Sequence, residues 1–510
     1  MIENLLERGG DRVESADVCV IGSGGGGAVV AAEIASAGRS VVVLEQGHHW
    51  TRSDFVQRED QMLPRLFEEA GMRQTVDGGV TVLQGRCIGG STVHNLCYAF
   101  RAPEPIIDMW REEHGLDELT LRALEPSYRR VEANLRVKPI REDEVNSLNR
   151  LIRAGTEKLG YSGFVAHHNR EGCVRAGYCI LGCSYDAKQS MLVTYVPRAD
   201  RAGARIYANA RAERIEVEGH QVRRVLGSVV DHSGRCRGSI EVTAPVVVLA
   251  AGAVNSPDLL LRSGIANQSG QVGNNLHLHP SVMVVGFWDE PIHAYRGIPQ
   301  SYYIDQFIDL ARDPHSGTVL MPIAGFPVLT AVNLPGFGRR HFEHMRDFAK
   351  MGGLIVLLHD RSSGSVRNGS LGRPEIRYAL EAGDRRQLAE GVVHAAEILF
   401  AAGARRVVVP TQPQPLVLER DDDLSAIPSE IGEGDAPIAS THPQSTCRMG
   451  GDPKTSVVNA FGESHEVAGL FITDMSVFPT SLGAPPQITT ATLADRTAHH
   501  ILARWIEFGA

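Results

Sequence analysis

Glycines spaced for phosphate binding are the residues of this chain whose chemistry can be read first. Gly22, Gly24 and Gly27 form a Gly-x-Gly-x-x-Gly pattern within Ile21-Gly22-Ser23-Gly24-Gly25-Gly26-Gly27, and Glu45 follows about twenty residues later. In such a unit the first glycine makes a tight turn and the second, here with Gly25 beside it, lets the backbone approach a pyrophosphate. The third lets a helix lie close on a strand, with the helix N-terminus facing the phosphate charge. The acid accepts hydrogen bonds from ribose hydroxyls, which favours an adenosine without a 2′-phosphate. A second run, Gln84-Gly85-Arg86-Cys87-Ile88-Gly89-Gly90-Ser91-Thr92-Val93-His94-Asn95, places two glycines before hydroxyl residues. Its amides suit close approach to a flat, electron-rich ring or a phosphate; the alternative is a tight connecting loop. A third turn of small residues runs from Ala250 through Gly252 to Pro257.

These turns need elements that hold them. Residues 16–20 read as a buried parallel strand, 28–37 as a helix that stops at Gly38, and 40–44 as a second strand with Glu45 at its end. Residues 204–208, 211–217, 222–230 and 239–243 alternate like a meander. Residues 246–249 form a buried strand whose carboxyl end carries the Gly252 turn, where open α/β sheets bind ligands, and 258–263 continue as a short helix. From 104 to 137 the pattern is helical and charged and suggests a cap or substrate domain. From 287 to 409 the composition turns aromatic and charged, with a helix over 385–402. Residues 411–437 read as a surface loop, and a helix over 489–508 closes the chain.

At 510 residues the chain exceeds what one core usually supports, so two domains are expected. A formal charge of -9 without a long basic run argues against nucleic acid as a partner. No run reaches the roughly 18 apolar residues that span a bilayer. The N-terminus lacks the apolar stretch of a secretory signal, so a cytoplasmic location is expected. Eight cysteines in such a chain suggest reduced thiols. Cys173, Cys179 and Cys183 cluster, but their spacing lacks the paired Cys-x-x-Cys of zinc sites, so they read as buried or loop thiols and no metal is expected.

Taken in order, the motifs resemble the glucose-methanol-choline (GMC) family of FAD-dependent oxidoreductases over essentially the whole chain. Gly22 to Gly27 with Glu45 is similar to its FAD fingerprint, and Gly85 to Asn95 to its first signature. The run Gly252-Ala253-Val254-Asn255-Ser256-Pro257-Asp258-Leu259-Leu260-Leu261-Arg262-Ser263-Gly264 fits its second signature. Val272-Gly273-Asn274-Asn275-Leu276-His277-Leu278-His279-Pro280, Thr441-His442-Pro443 and Thr473-Asp474-Met475-Ser476-Val477-Phe478-Pro479 resemble later family segments. The segment around Gly182-Cys183-Ser184-Tyr185-Asp186-Ala187-Lys188 is most similar to bacterial members grouped with long-chain alcohol oxidases and polyol dehydrogenases.

The resemblance implies a mixed α/β fold: a Rossmann-like FAD-binding domain (1–105, 190–285 and 438–510) interleaved with a substrate-binding domain (106–189 and 286–437) built on an antiparallel sheet with helices. It implies FAD as cofactor, bound along Gly22, Gly24, Gly25, Gly27, Glu45, Gly89, Gly90, Ser91, His94, Asn95, Ala212, Gly252, Asp474, Pro486 and Gln487. In some members the histidine matching His94 is bonded covalently to the flavin; in others an apolar residue stands there and FAD is held non-covalently. The implied reaction is oxidation of a small-molecule alcohol by hydride transfer to flavin N5, with His442 as general base. Oxygen, a quinone or another carrier would take up the electrons, and a homo-oligomer is compatible with the sequence. The family's second catalytic His or Asn falls in Gly483-Ala484-Pro485-Pro486, where Pro485 offers no side-chain hydrogen bond. Either Gln487 or Gln444 binds the substrate oxygen instead, or the flavin chemistry is another kind: isomerisation, elimination, photochemistry or a binding role.

Overall fold

The computed structural model of this protein describes residues 1–334 and 336–508. Its first sheet has six strands, all parallel, in the order Ile2–Asn4, Arg205–Ala208, Val41–Glu45, Val18–Ile21, Val246–Leu249 and Leu470–Ile472. The central runs VCVI, VVVLE and VVVL are buried at every position, as expected of parallel strands covered on both faces. The helix Gly27–Ser36 lies on this sheet with Gly27 to Ala35 buried. Strand, helix and second strand thus match the sequence reading to within two residues, and Glu45 is the last residue of its strand.

Three of the four expected meander strands form as Ala210–Glu218, Gln221–Val230 and Cys236–Thr243, antiparallel throughout; the first, expected over 204–208, instead joins the parallel sheet as Arg205–Ala208. Arg12–Ser15 adds a fourth, parallel strand to its edge, which the sequence pattern did not reveal.

The second unit is a seven-stranded sheet centred on Ser281–Phe287 and Met351–Leu358, flanked by Thr318–Ile323 and Arg406–Val409. Alternation divides its two faces. Val282, Val284, Leu320, Leu354, Val356 and Leu358 pack with Leu388, Val392 and Leu399 of the helix Ala382–Ala401. The intervening residues face the other way and build the site described below.

Three placements differ from the sequence reading. Residues 411–437 are not loop throughout, because Leu416–Glu419 pairs as the edge strand beside Arg406–Val409. Val80–Val82 and Ile438–Ser440, expected in the FAD-binding portion, pair with each other and join the second sheet through Ser281 and Ala439. The helices Glu104–His114 and Leu121–Asn134, expected in a cap, bury Ile106, Trp110, Leu124 and Tyr128 in the core of the parallel-sheet unit. Leu121–Asn134 packs on the closing helix Gln487–Ala503, to which Tyr128 (3.2 Å to Thr489) and Arg130 (2.6 Å to Asp495) also bond, while Trp110 of the first helix donates to Thr480 at 2.8 Å. Among the described residues no helix is long and apolar enough to cross a membrane.

The helix Gly252–Ser263 is longer than the expected 258–263 and continues straight from the Gly252 turn despite Pro257. A proline inside a helix leaves the carbonyl four residues earlier without its backbone donor. That carbonyl, on Ala253, accepts the Thr446 hydroxyl at 2.6 Å. Thr446→Val keeps the side-chain shape but orphans a buried carbonyl, and is expected to destabilise the protein by about 1–3 kcal/mol. A lowered denaturant midpoint with an unchanged slope is the expected readout; an unchanged midpoint would show that the carbonyl finds another donor.

Candidate functional site

The glycines of the first turn divide into those the protein needs and those a ligand needs. Gly22 has φ +96°, and a Cβ there would lie 2.3 Å from the Ala250 oxygen; a Cβ at Gly27 would lie 2.0 Å from the Gly22 oxygen. Both positions are fixed by backbone packing. A Cβ at Gly24 would meet nothing closer than Gly90 Cα at 3.8 Å, so its freedom is spent on the cavity it lines together with Gly22 and Gly25. The following helix has no side-chain cap and no acid in its first turn, which leaves its positive end free for an anion.

Glu45 is buried at the cavity wall. Its Oε2 accepts from the Ser23 amide (3.0 Å) and hydroxyl (2.8 Å), and its Oε1 from the Gly47 amide (2.8 Å). Burial pushes its pKa up, opposed by these bonds. The Ser23 hydroxyl also accepts from the Gly89 amide at 3.0 Å, so one serine ties the first glycine turn to the second. Sequence reasoning passed over Ser23; its place inside the glycine run was the available signal. Asp474 performs the same task at the third turn. Its Oδ2 accepts from the Gly252 amide (2.8 Å) and the Ser256 hydroxyl (2.5 Å), and its Oδ1 from the Ser476 amide (2.8 Å).

The second turn needs left-handed backbone at Gly89 (φ +91°) and Gly90 (φ +55°). Gly90 and Ser91 line the cavity, whereas Gly89 lies behind it against Leu192. His94 lines the cavity too, its ring 3.9 Å from that of Phe67, and its Nε2 has no hydrogen-bond partner. Burial, with the Lys188 charge, lowers its pKa to about 3, so the ring is neutral. Asn95 donates to Gln487, whose own Nε2 is unpartnered at the same wall. Behind the loop the buried Lys188 ammonium donates to the carbonyls of Val93 (2.8 Å), Asn95 (2.6 Å) and Cys179 (2.5 Å). Cys179 has Cys97, rather than Cys173, as its sulfur neighbour. The neighbouring Cys97 thiol, against the opposing effect of burial and aided by the Lys188 charge, lowers the Cys179 pKa from its ordinary value.

His442 lines the same cavity as these loops. Its Nδ1 is 3.2 Å from Nδ1 of His279, a residue 163 positions earlier. His279 is fully buried, and its Nε2 accepts the Gly483 amide at 3.1 Å. A backbone amide can only donate, so neutral His279 carries its proton on Nδ1 and donates to His442. The resting His442 therefore bears its own proton on Nε2. Burial lowers His442 to about 4. The Asp360 carboxylate anchors the loop that presents His279, accepting from the amides of Leu278 (2.9 Å) and His279 (3.1 Å) and from Ser481 (2.7 Å) and Tyr378 (2.8 Å). Pro485 and Pro486 line the cavity. Gln444 does not: it is fully buried outside the wall, its backbone paired with His277, and so is removed as a substrate ligand.

One cavity of about 1030 Å³ joins these parts, with Ala212 and His232 also on its wall. Its far side is the inner face of the second sheet, where Met283 pairs with Ile355, and Ile355 with Met321. With Leu357, Ile323 and Phe326 this makes an apolar wall opposite the glycine turns.

A parallel sheet with glycine turns at its strand ends, joined to an antiparallel sheet over a histidine-bearing cavity, defines a two-domain dinucleotide-dependent oxidoreductase. Residues 63–281 and 360–494 match the GMC oxidoreductase pattern, and residues 17–54 match an FAD binding domain. The chain belongs to the GMC oxidoreductase family, and its cofactor is FAD. It is 31% identical to an uncharacterized GMC-type oxidoreductase of Mycobacterium tuberculosis, over 98% of this chain and 78% of the relative. A long-chain-alcohol oxidase of Arabidopsis thaliana is 29% identical over 97% of this chain and 69% of the relative. The fold is shared with a crystal structure of pyridoxine 4-oxidase from Mesorbium loti, with a TM-score of 0.72, 20% identity, and coverage of 96% of this chain and 99% of that one.

The residues present fit FAD: an uncapped helix end for the pyrophosphate, a buried acid at the end of the strand Val41–Glu45, and unpartnered nitrogens on His94 and Gln487 at the cavity wall. Glu45→Ala removes the acceptor that organises Ser23 and Gly47. FAD binding is expected to weaken by about 1.5–3 kcal/mol, roughly ten- to a hundredfold in Kd. Flavin fluorescence released on dilution measures it, and an unchanged Kd would remove Glu45 from the cofactor site.

Proposed function

We propose that this protein oxidises the CH–OH group of an apolar alcohol, with His442 handling the hydroxyl proton. The observation that carries the reading is that one cavity brings the His442 ring together with the glycine turns and the apolar face of Met283, Met321, Ile355 and Leu357. The long-chain-alcohol oxidases among the relatives support an apolar substrate. Bound FAD supplies the hydride acceptor, and oxygen, a quinone or another carrier would reoxidise it.

In its resting tautomer His442 offers Nε2–H to the substrate oxygen and holds the alcohol in place. To accept the hydroxyl proton at Nε2, it must carry its own proton on Nδ1 and donate to His279. His279 then turns an N–H toward the Gly483 amide and loses that bond, a cost of about 1–3 kcal/mol. His279 is thus the positioning residue that sets when His442 is a donor and when it is a base. Gln487 and the apolar walls orient the rest of the substrate. Pro485, which adds no hydrogen bond, favours a second reading in which the flavin does other chemistry. Anaerobic bleaching of the oxidised flavin by an alcohol separates the two, since only the oxidation reading produces it.

His442→Ala is expected to retain FAD and to slow flavin reduction by about 10²–10⁴. Stopped-flow reduction at the parent rate would place the base elsewhere. Because burial holds His442 at about 4, the neutral ring persists down to that pH and is lost below it. The acid limb of kcat/KM is therefore expected near 4, and a limb near the ordinary histidine value of about 6.5 would contradict this placement.

The neutral, unpartnered Nε2 of His94 supports covalent attachment of the flavin at this residue. Acid precipitation is expected to leave yellow colour in the washed pellet; flavin wholly in the supernatant would rule the bond out.

A further inference from the structure

Exposed apolar side chains gather where the second unit borders the cavity. Val328 and Val332, on the helix Pro327–Asn333, are 47% and 71% exposed, and Phe337 and Phe342 are 92% and 65% exposed. Phe342 belongs to the next helix, Gly338–Arg346, which packs against the first. Single exposed apolar residues are ordinary on a protein surface; four within fifteen positions, two of them phenylalanines, are not.

The two helices are anchored from beneath. The amides of Val328 and Leu329 donate to the buried Glu59 carboxylate, each at 2.8 Å. His344 lies against the Phe287 ring, and Met345 packs on the cluster around Val285 and Met351. The first helix has two working faces, since Leu329, Thr330 and Asn333 line the cavity while Val328 and Val332 look outward. The second helix, GRRHFEHMR, carries three arginines against one glutamate, which pairs with Arg339 at 2.9 Å. The whole chain has a formal charge of -9, so this basic helix opposes the charge of the protein that bears it.

We propose that this helix pair is a docking surface for an anionic phospholipid bilayer, and that it sets the cavity mouth against the membrane. The charge selects the occupant. An acidic protein is repelled by an anionic leaflet unless a local basic patch meets the headgroups, and arginines beside exposed phenylalanines are the composition of a helix that lies in the interface. Continuity with the cavity gives the contact its use. Phe326 and Leu329 on the cavity wall adjoin Val328 and Val332 on the outer surface, so a lipophilic molecule leaving the acyl region meets apolar side chains along the way in. The docking itself does not rest on the alcohol reading.

Cosedimentation of the FAD-bound protein with vesicles tests it. Protein is expected to pellet with phosphatidylcholine vesicles containing about a third phosphatidylglycerol, to pellet weakly with phosphatidylcholine alone, and to be released at about 0.5 M salt. Phe337→Ser with Phe342→Ser is expected to weaken vesicle binding by about tenfold or more, with flavin content and thermal midpoint unchanged. No pelleting with anionic vesicles would overturn the proposal, as would equal pelleting of the variant. Sedimentation velocity gives the remaining outcome: self-association abolished by the two serines, without vesicle binding, would assign the face to a second copy of this chain and overturn the membrane reading.

Discussion

A methyl group added to Gly90 would lie 2.8 Å from Gly24 Cα, and one added to Gly26 would lie 1.8 Å from the Thr473 oxygen. Backbone therefore touches backbone where the first glycine turn, at the carboxyl end of Val18–Ile21, meets the Gly90 loop and the residue that follows Leu470–Ile472. The contact is held by polar bonds: Ser23 bridges Glu45 and the Gly89 amide, and Asp474 holds the Gly252 turn. Loops that come together this closely must be delivered by rigid strands. Those strands come from residues near 20, 248 and 471, so the unit that contains them has to be discontinuous. The second sheet is built from the chain excursions between these returns, which is why its inner face ends up opposite the turns.

The parts legible in the sequence were those whose cause is local. A strand, a glycine turn, a helix and an acid within thirty residues carry their own geometry, and the structure reproduces them almost residue for residue. The parts that were not legible depend on partners far away in the chain. Nothing near His279 says that its ring meets His442, because a 163-residue separation and the Gly483 amide decide it. The helices Glu104–His114 and Leu121–Asn134 were recognisable as amphipathic, but amphipathicity does not name the surface it will cover. The place of Leu121–Asn134 on the closing helix follows from Tyr128 and Arg130 finding Thr489 and Asp495. Leu416–Glu419 was hidden for a similar reason: a short edge strand among polar residues has no pattern until a neighbour pairs with it.

Resemblance supplied His442, and the structure adds what the motif omits. A histidine beside a second histidine is ambiguous in its protons until one nitrogen is pinned. The Gly483 amide pins it, because an amide cannot accept and so forces a lone pair onto His279 Nε2. The Asp360 carboxylate, receiving four donors, fixes the loop on which His279 sits and keeps that geometry from relaxing. The chain thus spends a buried polar network on the orientation of one ring.

One wall of the cavity is backbone amides, a helix end and neutral rings; the other is methionine, isoleucine and leucine projecting from alternate positions of a sheet. A substrate that packed on Met283, Met321, Ile355 and Leu357 would surrender little solvation if it were apolar and a great deal if it were a polyol, because these four side chains offer no hydrogen bond to replace the lost water. On the proposed alcohol oxidation, rejection of polar groups by these four side chains would favour chain length and apolarity over a pattern of hydroxyls.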